Sequence, residues 1–345
     1  MAVLASFLSA RNWRWLMLPV LFWTLISTGL ARTPFERYGP LATEGNRLIS
    51  MKTGQPVVLH GFSSHGLHWY GWGQSLTPET IKDIALRWKA DVLRLAIYPD
   101  SGGYRQQPAK LLNDLDVIIE EASRYGLYLI IDWHVHDHGD PFVELPAAKH
   151  FFEAFGKRQG GRENLLLEIC NEPNGDQVSW DLIRAYATEM IPFVRRYFPD
   201  NIIITGTPHW SSFGAAKNVP VEELLNHPLP EEVRRNVMYA FHFYAGSHGA
   251  HYRETLAAVA RHWPVFVTEW GAQNFDGDGP NDFAEAELWL QTMNRLGISW
   301  CYWNYSDNVK SGAVWKAGVM KERRLGVDAL KESGQWLLRR FQEER

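Results

Sequence analysis

The chain is poor in cysteine and has no excess of basic residues. Its only two cysteines, Cys170 and Cys301, are far apart, and each lies inside an apolar run. This scarcity excludes a disulfide framework and a CxxC metal site, and it predicts two buried free thiols. The formal net charge is −4, with both signs scattered along the chain. Because no basic face is available to follow a phosphate backbone, nucleic acid is not expected as a partner.

The chain also lacks internal repeats, low-complexity tracts and linkers rich in serine, threonine or proline. Its 345 residues, 46% of them apolar, are enough to bury one large core. We therefore expect one main domain, without an appended binding module.

One uncharged segment stands apart at the N-terminus. Arg11 and Arg14 precede residues 15–31, which carry no charge and end in small residues. This pattern is typical of a secretory signal, and an uncleaved membrane anchor is the alternative. The sequence thus predicts a signal peptide or anchor over residues 1–31, the main domain over 32–345, and a secreted or periplasmic location.

Apolar, β-branched runs recur along the main domain and alternate with stretches of helical spacing. Residues 77–80 begin one such helix with a threonine cap and a first-turn proline, and residues 111–119 show helical periodicity. The eight runs are residues 57–59, 92–97, 127–131, 165–169, 202–204, 237–243, 265–268 and 298–303. This alternation predicts an α/β fold, namely a single-domain (β/α)₈ TIM barrel; a doubly wound open sheet is the alternative.

Two glutamates follow apolar runs in positions that favour catalysis. Glu172 lies in "EICNEPNG", where Pro173 is expected to end the strand, and Glu269 lies in "FVTEWG". A barrel carries its chemistry at the C-terminal ends of its strands. Two carboxylates facing each other there predict hydrolysis of a glycosidic bond, which requires one acid and one ionised carboxylate.

Four longer sequence motifs extend this interpretation to a family. In chain order they are "LHGFSSHGLHWYG", "EICNEPNG", "MYAFHFYAGSHG" and "VFVTEWG". Together they closely resemble glycoside hydrolase family 5, in particular its subfamily 2 of bacterial-type endo-β-1,4-glucanases, over nearly the whole main domain. The resemblance implies a monomeric, retaining cellulase that hydrolyses internal bonds of β-1,4-glucan by double displacement, with no cofactor and no metal.

The resemblance also implies residue roles. Glu172 would be the acid/base and Glu269 the nucleophile, about 5–5.5 Å apart as in retaining enzymes. Arg94 and Tyr244 would keep the nucleophile ionised, and Asn171 would bind the sugar 2-hydroxyl. The implied substrate-binding residues are His65, Trp69, Arg94, His134, Asn171, Trp210, His242, Tyr244 and Trp303. Trp133, Trp270 and Trp300 suit packing equally well and are left out of the predicted site.

One departure from the family pattern concerns distal sugars. Asn308 stands where the family commonly has a lysine that reaches sugars on the non-reducing side, and Lys310 lies two residues further on. The departure therefore bears on the binding of distal sugars and not on the expected catalysis.

Three alternative functions share parts of the pattern. Mannan or xylan hydrolysis differs from glucan hydrolysis by a few hydroxyl contacts, each worth about 1–3 kcal/mol. A non-catalytic glucan-binding protein would keep the groove without the chemistry. The pair His134-Val135-His136 also suits a metal-dependent hydrolase. For the endoglucanase we expect better activity on soluble or amorphous glucan than on crystals.

Overall fold

Eight parallel strands close into a barrel in the computed structural model, which describes residues 32–69, 75–136 and 139–343. The predicted signal or anchor segment, residues 1–31, lies outside the described residues. The closed strand order confirms the predicted TIM barrel, and the open doubly wound sheet is wrong. From Thr33 onwards the chain forms one unit.

A two-stranded hairpin precedes the barrel. Its strands β1 (Leu41–Glu44) and β2 (Arg47–Ser50) pair in antiparallel fashion. The barrel strands follow as β3 (His60–Ser63), β4 (Val92–Ile97), β5 (Tyr128–Trp133), β6 (Leu165–Glu168), β7 (Ile203–Thr205), β8 (Val237–Tyr244), β9 (Val265–Gly271) and β10 (Ser299–Trp303). The barrel closes where β10 pairs with β3.

Helices connect successive strands and surround the barrel. In chain order they are α1 (Pro34–Tyr38), α2 (Pro78–Leu86), α3 (Pro108–Arg124), α4 (Pro141–Gln159), α5 (Trp180–Arg195), α6 (Pro208–Ser211), α7 (Val221–Leu225), α8 (Ala250–Val259), α9 (Phe283–Leu296), α10 (Val319–Glu322) and α11 (Glu332–Glu343). The predicted cap is confirmed, since the Thr77 hydroxyl accepts the Thr80 amide at the start of α2. The predicted periodicity of residues 111–119 is confirmed in α3.

The first barrel strand lies later in the sequence than predicted. The apolar run 57–59 precedes β3, which starts only at His60. Consequently His60 lies at the beginning of its strand and not at the catalytic end of the barrel. There its ring stacks on Trp300. The hairpin of β1 and β2 was not predicted, because each strand has only four residues and half of them are polar.

Apolar residues of the barrel divide into an outer and an inner core. The outer core joins strand residues such as Leu93 and Leu95 to the helices. The inner core contains Val92, Ile130 and Leu166, and residues of the β1–β2 hairpin cover it at the N-terminal end of the barrel. Cys170 and Cys301 are buried free thiols, as predicted.

An extra residue in β9 changes the direction of its side chains. Ala240 and His242 of β8 lie opposite Phe266 and Glu269, so two residues of β8 face three of β9. The same shift occurs against β10. Such a bulge lets the adjacent residues Thr268 and Glu269 both reach the interior of the barrel.

No helix among the described residues is long and apolar enough to cross a membrane.

Candidate active site

Polar side chains replace the inner core toward the C-terminal ends of the strands. Successive inward positions along a strand are two residues apart. Arg94 therefore follows Val92, Asp132 follows Ile130, and Glu168 follows Leu166 on the inner face. All three polar side chains are fully buried. A buried polar layer thus lies between the apolar inner core and the open end of the barrel.

Arg94 is the centre of this polar layer. Its Nε donates to Glu168 Oε2 at 2.7 Å, and its Nη2 lies 3.0 Å from Asp132 Oδ2. Nη2 also donates to Asn171 Oδ1 at 2.7 Å, and Nη1 donates to Glu269 Oε2 at 3.0 Å. Burial opposes the charge, but the three carboxylates outweigh it and raise the pKa of Arg94 well above its usual value. The guanidinium is therefore a permanent cation with a fixed orientation.

Glu269 is held ionised by its surroundings. Burial alone would raise the pKa of this carboxyl, but the charges of His242 and Arg94 outweigh burial and lower the pKa to about 2. The phenol of Tyr244 donates to Glu269 Oε1 in a short hydrogen bond. Burial and the charge of Glu269 raise the pKa of Tyr244, so the phenol keeps its proton.

Glu172 lies on the loop after β6, not at the end of the strand as predicted. Strand β6 ends at Glu168, and Glu172 follows four residues later, partly exposed. Its Oε1 is 2.8 Å from His242 Nδ1. The loop is fixed from both sides, because Ser211 Oγ donates to Asn171 O at 2.6 Å and the Trp210 amide donates to Pro173 O at 3.0 Å.

The two glutamates are close neighbours. One carboxylate oxygen of Glu172, one of Glu269 and a ring nitrogen of His242 lie within 4.8 Å of one another. Such closeness is what a retaining pair requires, whereas an inverting pair needs room for a water between the carboxyl groups. The two environments differ as well, since Glu269 contacts a cation and Glu172 contacts an imidazole.

His134 is oriented by Asp132 and is neutral. Its Nδ1 donates to Asp132 Oδ2 at 2.6 Å, and its ring stacks on Trp303 with centroids 5.4 Å apart. Burial and the charge of Arg94 lower the pKa of His134 well below its usual value. Its second nitrogen, Nε2, lies 3.4 Å from Asn171 Nδ2.

Two adjoining cavities of about 350 and 490 Å³ form a cleft over the site. Both are lined by Glu172, Trp210, Tyr244 and Phe275, so the acid/base candidate lies where they meet. Trp69 and Trp210 present flat faces, being 48% and 44% exposed. The larger cavity also includes His65, His134, Glu269 and Trp303. The structure therefore brings every predicted site residue to the cleft or to the polar layer beneath it.

The chain is similar in sequence to known proteins. A family model described as "Cellulase (glycosyl hydrolase family 5)" matches residues 50–309. The chain belongs to glycosyl hydrolase family 5. Endoglucanase MaCel5A of Microbulbifer sp. (strain ALW1) is 42% identical over 306 residues, which cover 88% of this chain and 58% of that relative. Endoglucanase E-5 of Thermobifida fusca is 40% identical, with coverage of 90% and 65%. The chain thus spans about six tenths of the length of these relatives.

A solved structure of the family has the same fold. The catalytic domain of Thermobifida fusca endoglucanase Cel5A, in complex with cellotetraose, matches with a TM-score of 0.86 and 40% identity. The match covers 90% of this chain and all of that one. Cellulase Cel5C_n matches with a TM-score of 0.81 and 33% identity, covering 90% and 94%.

The departure of this family 5 chain at Asn308 alters one wall of the cleft. Asn308 is buried, and its side chain accepts the Lys310 amide at 2.9 Å. The Lys310 ammonium donates to Asp276 O at 2.6 Å, and both residues line the larger cavity. A cation is therefore present at this wall, although it lies two residues further along the chain.

Several residues of the family 5 site were missed by sequence reasoning. Glu168 ends an apolar strand and Thr268 precedes Glu269, and neither was singled out. Asp132, which follows the predicted run 127–131, was not singled out as a site residue either. A buried carboxylate directly after three leucines was the available signal for Glu168. Phe275, 71% exposed in a glycine-rich loop, was visible only once the cleft was known. Trp133, Trp270 and Trp300, which were left out of the predicted site, are fully buried.

Proposed function

We propose that this family 5 protein is a retaining endo-β-1,4-glucanase. The observation that carries the proposal is the pair Glu172 and Glu269, brought within 4.8 Å in different electrostatic environments. Retaining hydrolysis requires two such carboxyl groups, one protonated and one ionised. The lowered pKa of Glu269 suits the ionised one.

In the first step, Glu269 attacks the anomeric carbon while Glu172 protonates the departing glycosidic oxygen. The carbon–oxygen bond to the leaving sugar breaks, and a glycosyl ester forms on Glu269. Arg94 and Tyr244 already contact both oxygens of Glu269, so they orient the lone pair and leave with little rearrangement.

In the second step, Glu172 acts as a base. It takes a proton from a water molecule, which attacks the anomeric carbon from the side that the leaving group vacated. The ester bond to Glu269 breaks and the carboxylate is regenerated. Two inversions at one carbon return the original β configuration.

A glucan substrate is supported by the relatives and by the cleft. Relatives at 42% and 40% identity carry the name endoglucanase, and a related catalytic domain binds cellotetraose. The exposed faces of Trp69 and Trp210 suit the flat C–H faces of equatorial sugars. The implied sugar-binding roles of His65, His134, Asn171 and Trp303 belong to this proposal.

The first test is reducing-end release from carboxymethylcellulose by the full chain, beside mannan and xylan. We expect cleavage of glucan, and Glu172→Ala should lose about 10²–10⁴-fold in rate.

Azide should restore turnover of an activated aryl glycoside by Glu172→Ala, because a small anion needs no base, and the product should be the β-azide. Glu269→Ala should lose more, and any azide product should be α. If the protein cleaves only mannan or xylan, the assigned substrate changes from glucan to that polymer. If folded protein cleaves none of the three polymers, a glucan-binding role is favoured.

We further propose that the enzyme acts outside the inner membrane. The support is the basic, uncharged and small-residue pattern of residues 1–31. N-terminal sequencing of the exported protein should begin at or near Arg32. An intact N-terminus in the membrane fraction would support the anchor instead.

A further inference from the structure

A continuous chain of hydrogen bonds leads from Glu172 into the barrel. Beyond the 2.8 Å contact to Glu172, His242 places its Nε2 at 2.8 Å from Thr268 Oγ1. Thr268 Oγ1 is in turn 2.8 Å from Glu168 Oε1. Thr268 and Glu168 are fully buried, so their hydrogen bonds are made within the protein. The β9 bulge is what lets Thr268 reach this chain while its neighbour Glu269 faces the cleft.

Counting hydrogens links Glu168 to His242. The Thr268 hydroxyl has one proton and lies between two partners. If Glu168 is ionised, the hydroxyl donates to it, and His242 Nε2 must carry a proton to donate to Thr268. If Glu168 is protonated and donates to Thr268, the hydroxyl donates to Nε2, and the proton of a neutral ring lies on Nδ1. The protonation of Glu168 thus decides which groups His242 presents to Glu172.

We propose that Glu168, Thr268 and His242 form a proton relay behind the acid/base, in which Glu168 and Thr268 are positioning residues. The proposal rests on the retaining mechanism given above. When Glu172 gives its proton to the leaving oxygen, the Glu168 proton moves to Thr268 Oγ1 while the Thr268 hydroxyl proton moves to His242 Nε2. Glu168 becomes a carboxylate, and His242 becomes an imidazolium beside the new Glu172 carboxylate. No proton enters or leaves the relay, and the second step reverses it.

The relay keeps a proton on His242 Nδ1 in both states. Nδ1 therefore always donates to Glu172 Oε1, and the acid proton is left to the other oxygen, Oε2, for transfer to the sugar. Without the relay, a neutral ring is free to place its proton on Nε2. Nδ1 would then accept the proton of Glu172 and compete with the leaving group.

The electrostatics of the two ends support proton exchange. Burial raises the pKa of Glu168 to about 7, against the lowering effect of Arg94. Burial disfavours the imidazolium, but the hydrogen bond to Glu172 and the charges of Glu269 and Glu172 raise the pKa of His242. The charged and titratable groups that face these two residues are Arg94 on β4, Asp132 on β5, His134 after β5, Glu172 after β6 and Glu269 on β9. The raised pKa lets Glu168 hold a proton near neutral pH, and the raised pKa of His242 favours the imidazole as the acceptor of that proton.

The test compares three variants of the full chain. Thr268→Val keeps the shape and removes the hydroxyl, and Thr268→Ser keeps the hydroxyl. Thr205→Val is the matched control, because Thr205 is a fully buried threonine on β7 whose hydroxyl donates only to a backbone carbonyl, Gly206 O. The pH dependence of kcat/KM is measured with two aryl β-cellobiosides. The dinitrophenyl leaving group departs without a proton, whereas the phenyl leaving group needs one.

We expect Thr268→Val to lose at least about tenfold more activity on the phenyl than on the dinitrophenyl substrate, a fraction of what acid catalysis contributes. Its basic limb should move up, because the relay no longer places an imidazolium beside the Glu172 carboxylate. Thr268→Ser and Thr205→Val should retain the wild-type limb and the wild-type ratio between substrates.

Two results would overturn the relay. One is an equal loss on both substrates with an unmoved basic limb in Thr268→Val; the other is a Thr268→Ser variant that behaves like Thr268→Val. If the wild type cleaves neither substrate, the proposed function fails separately. The relay is then decided by nitrogen-15 spectra of the histidines, with the His242 signals assigned by their loss in His242→Gln. A His242 tautomer and titration unchanged by Thr268→Val would reject the relay there as well.

Discussion

The five partners of Arg94 make its geometry as important as its charge. The guanidinium serves Ser63, Asp132, Glu168, Asn171 and Glu269 at once. A lysine ammonium has three donors on a flexible stem and cannot reproduce this planar arrangement. In Arg94→Lys we therefore expect the cation to move away from Glu269 and the pKa of that carboxyl to rise from about 2, although the charge of His242 continues to lower it. The acid limb of kcat/KM should then move to higher pH.

The direction follows from the chemistry of Glu269. The nucleophile must be ionised, and its pKa of about 2 leaves it ionised at all higher pH values. A raised pKa removes activity first on the acid side and less at neutral pH. Arg184→Lys is the control, since this arginine pairs with Asp181 at the surface of α5. A uniform loss across the pH range in Arg94→Lys would contradict the electrostatic role.

Reacting residues were more predictable from the sequence than their supporting residues. Glu172 and Glu269 lie in recognisable sequence motifs. Arg94, His242 and Tyr244 were predicted from the same family resemblance. Glu168 and Thr268 act through contacts that join distant strands, 100 residues apart in the chain. Local pattern carries no information about such a pairing, because the partner is fixed only when the barrel closes.

Strand existence was predictable, while strand ends and the bulge were not. Strand β4 matches the predicted run 92–97, because its apolar residues, interrupted only by Arg94, are buried throughout. Strand β3 starts after its predicted run, since residues 57–59 precede His60, the first residue of β3 that pairs with β10. The bulge of β9 depends on register against β8 and β10, and no sequence period indicates it. Tertiary pairing decides these details.

The β1–β2 hairpin stabilises the barrel from the end opposite to the cleft. Leu48 of β2 is buried in the inner core with Leu41 and Val57. Leu48→Ala should lower the free energy of unfolding by about 2–5 kcal/mol, because it removes buried methyl groups and leaves a cavity. Values of kcat/KM at temperatures where the protein is folded should not change. Denaturant or thermal unfolding measures the first quantity and aryl cellobioside hydrolysis the second.

Met51 provides the control for this hairpin. It follows β2 directly but is 60% exposed, so Met51→Ala should leave stability within about 0.5 kcal/mol of wild type. A Leu48→Ala variant as stable as Met51→Ala would mean that the hairpin contributes little to the barrel. If kcat/KM of Leu48→Ala falls while the protein stays folded, the hairpin end of the barrel influences the site at the opposite end.

A metal-dependent mechanism makes a different prediction for the whole enzyme. Among the described residues, the one cluster with suitable ligand spacing is Glu172, His242 and Glu269. Its donors are already engaged, since His242 bonds Glu172 and Thr268 and the Arg94 cation contacts Glu269. The pair His134 and His136, which suggested a metal-dependent hydrolase, belongs to no such cluster in the described part of the chain. Activity on carboxymethylcellulose should therefore survive prolonged treatment with EDTA; a loss that one divalent cation restores would revive the metal hydrolase.

The continuity of the cleft predicts where along a polymer the proposed glucanase cuts. The two cavities share Glu172, Trp210, Tyr244 and Phe275, so the groove extends to both sides of the acid/base. A chain that lies across both cavities is cut at internal bonds. The viscosity of carboxymethylcellulose should then fall steeply while few reducing ends have formed, because one internal cut halves a long chain but creates a single new end. Release of cellobiose at nearly constant viscosity would instead require a groove that closes on one side of Glu172.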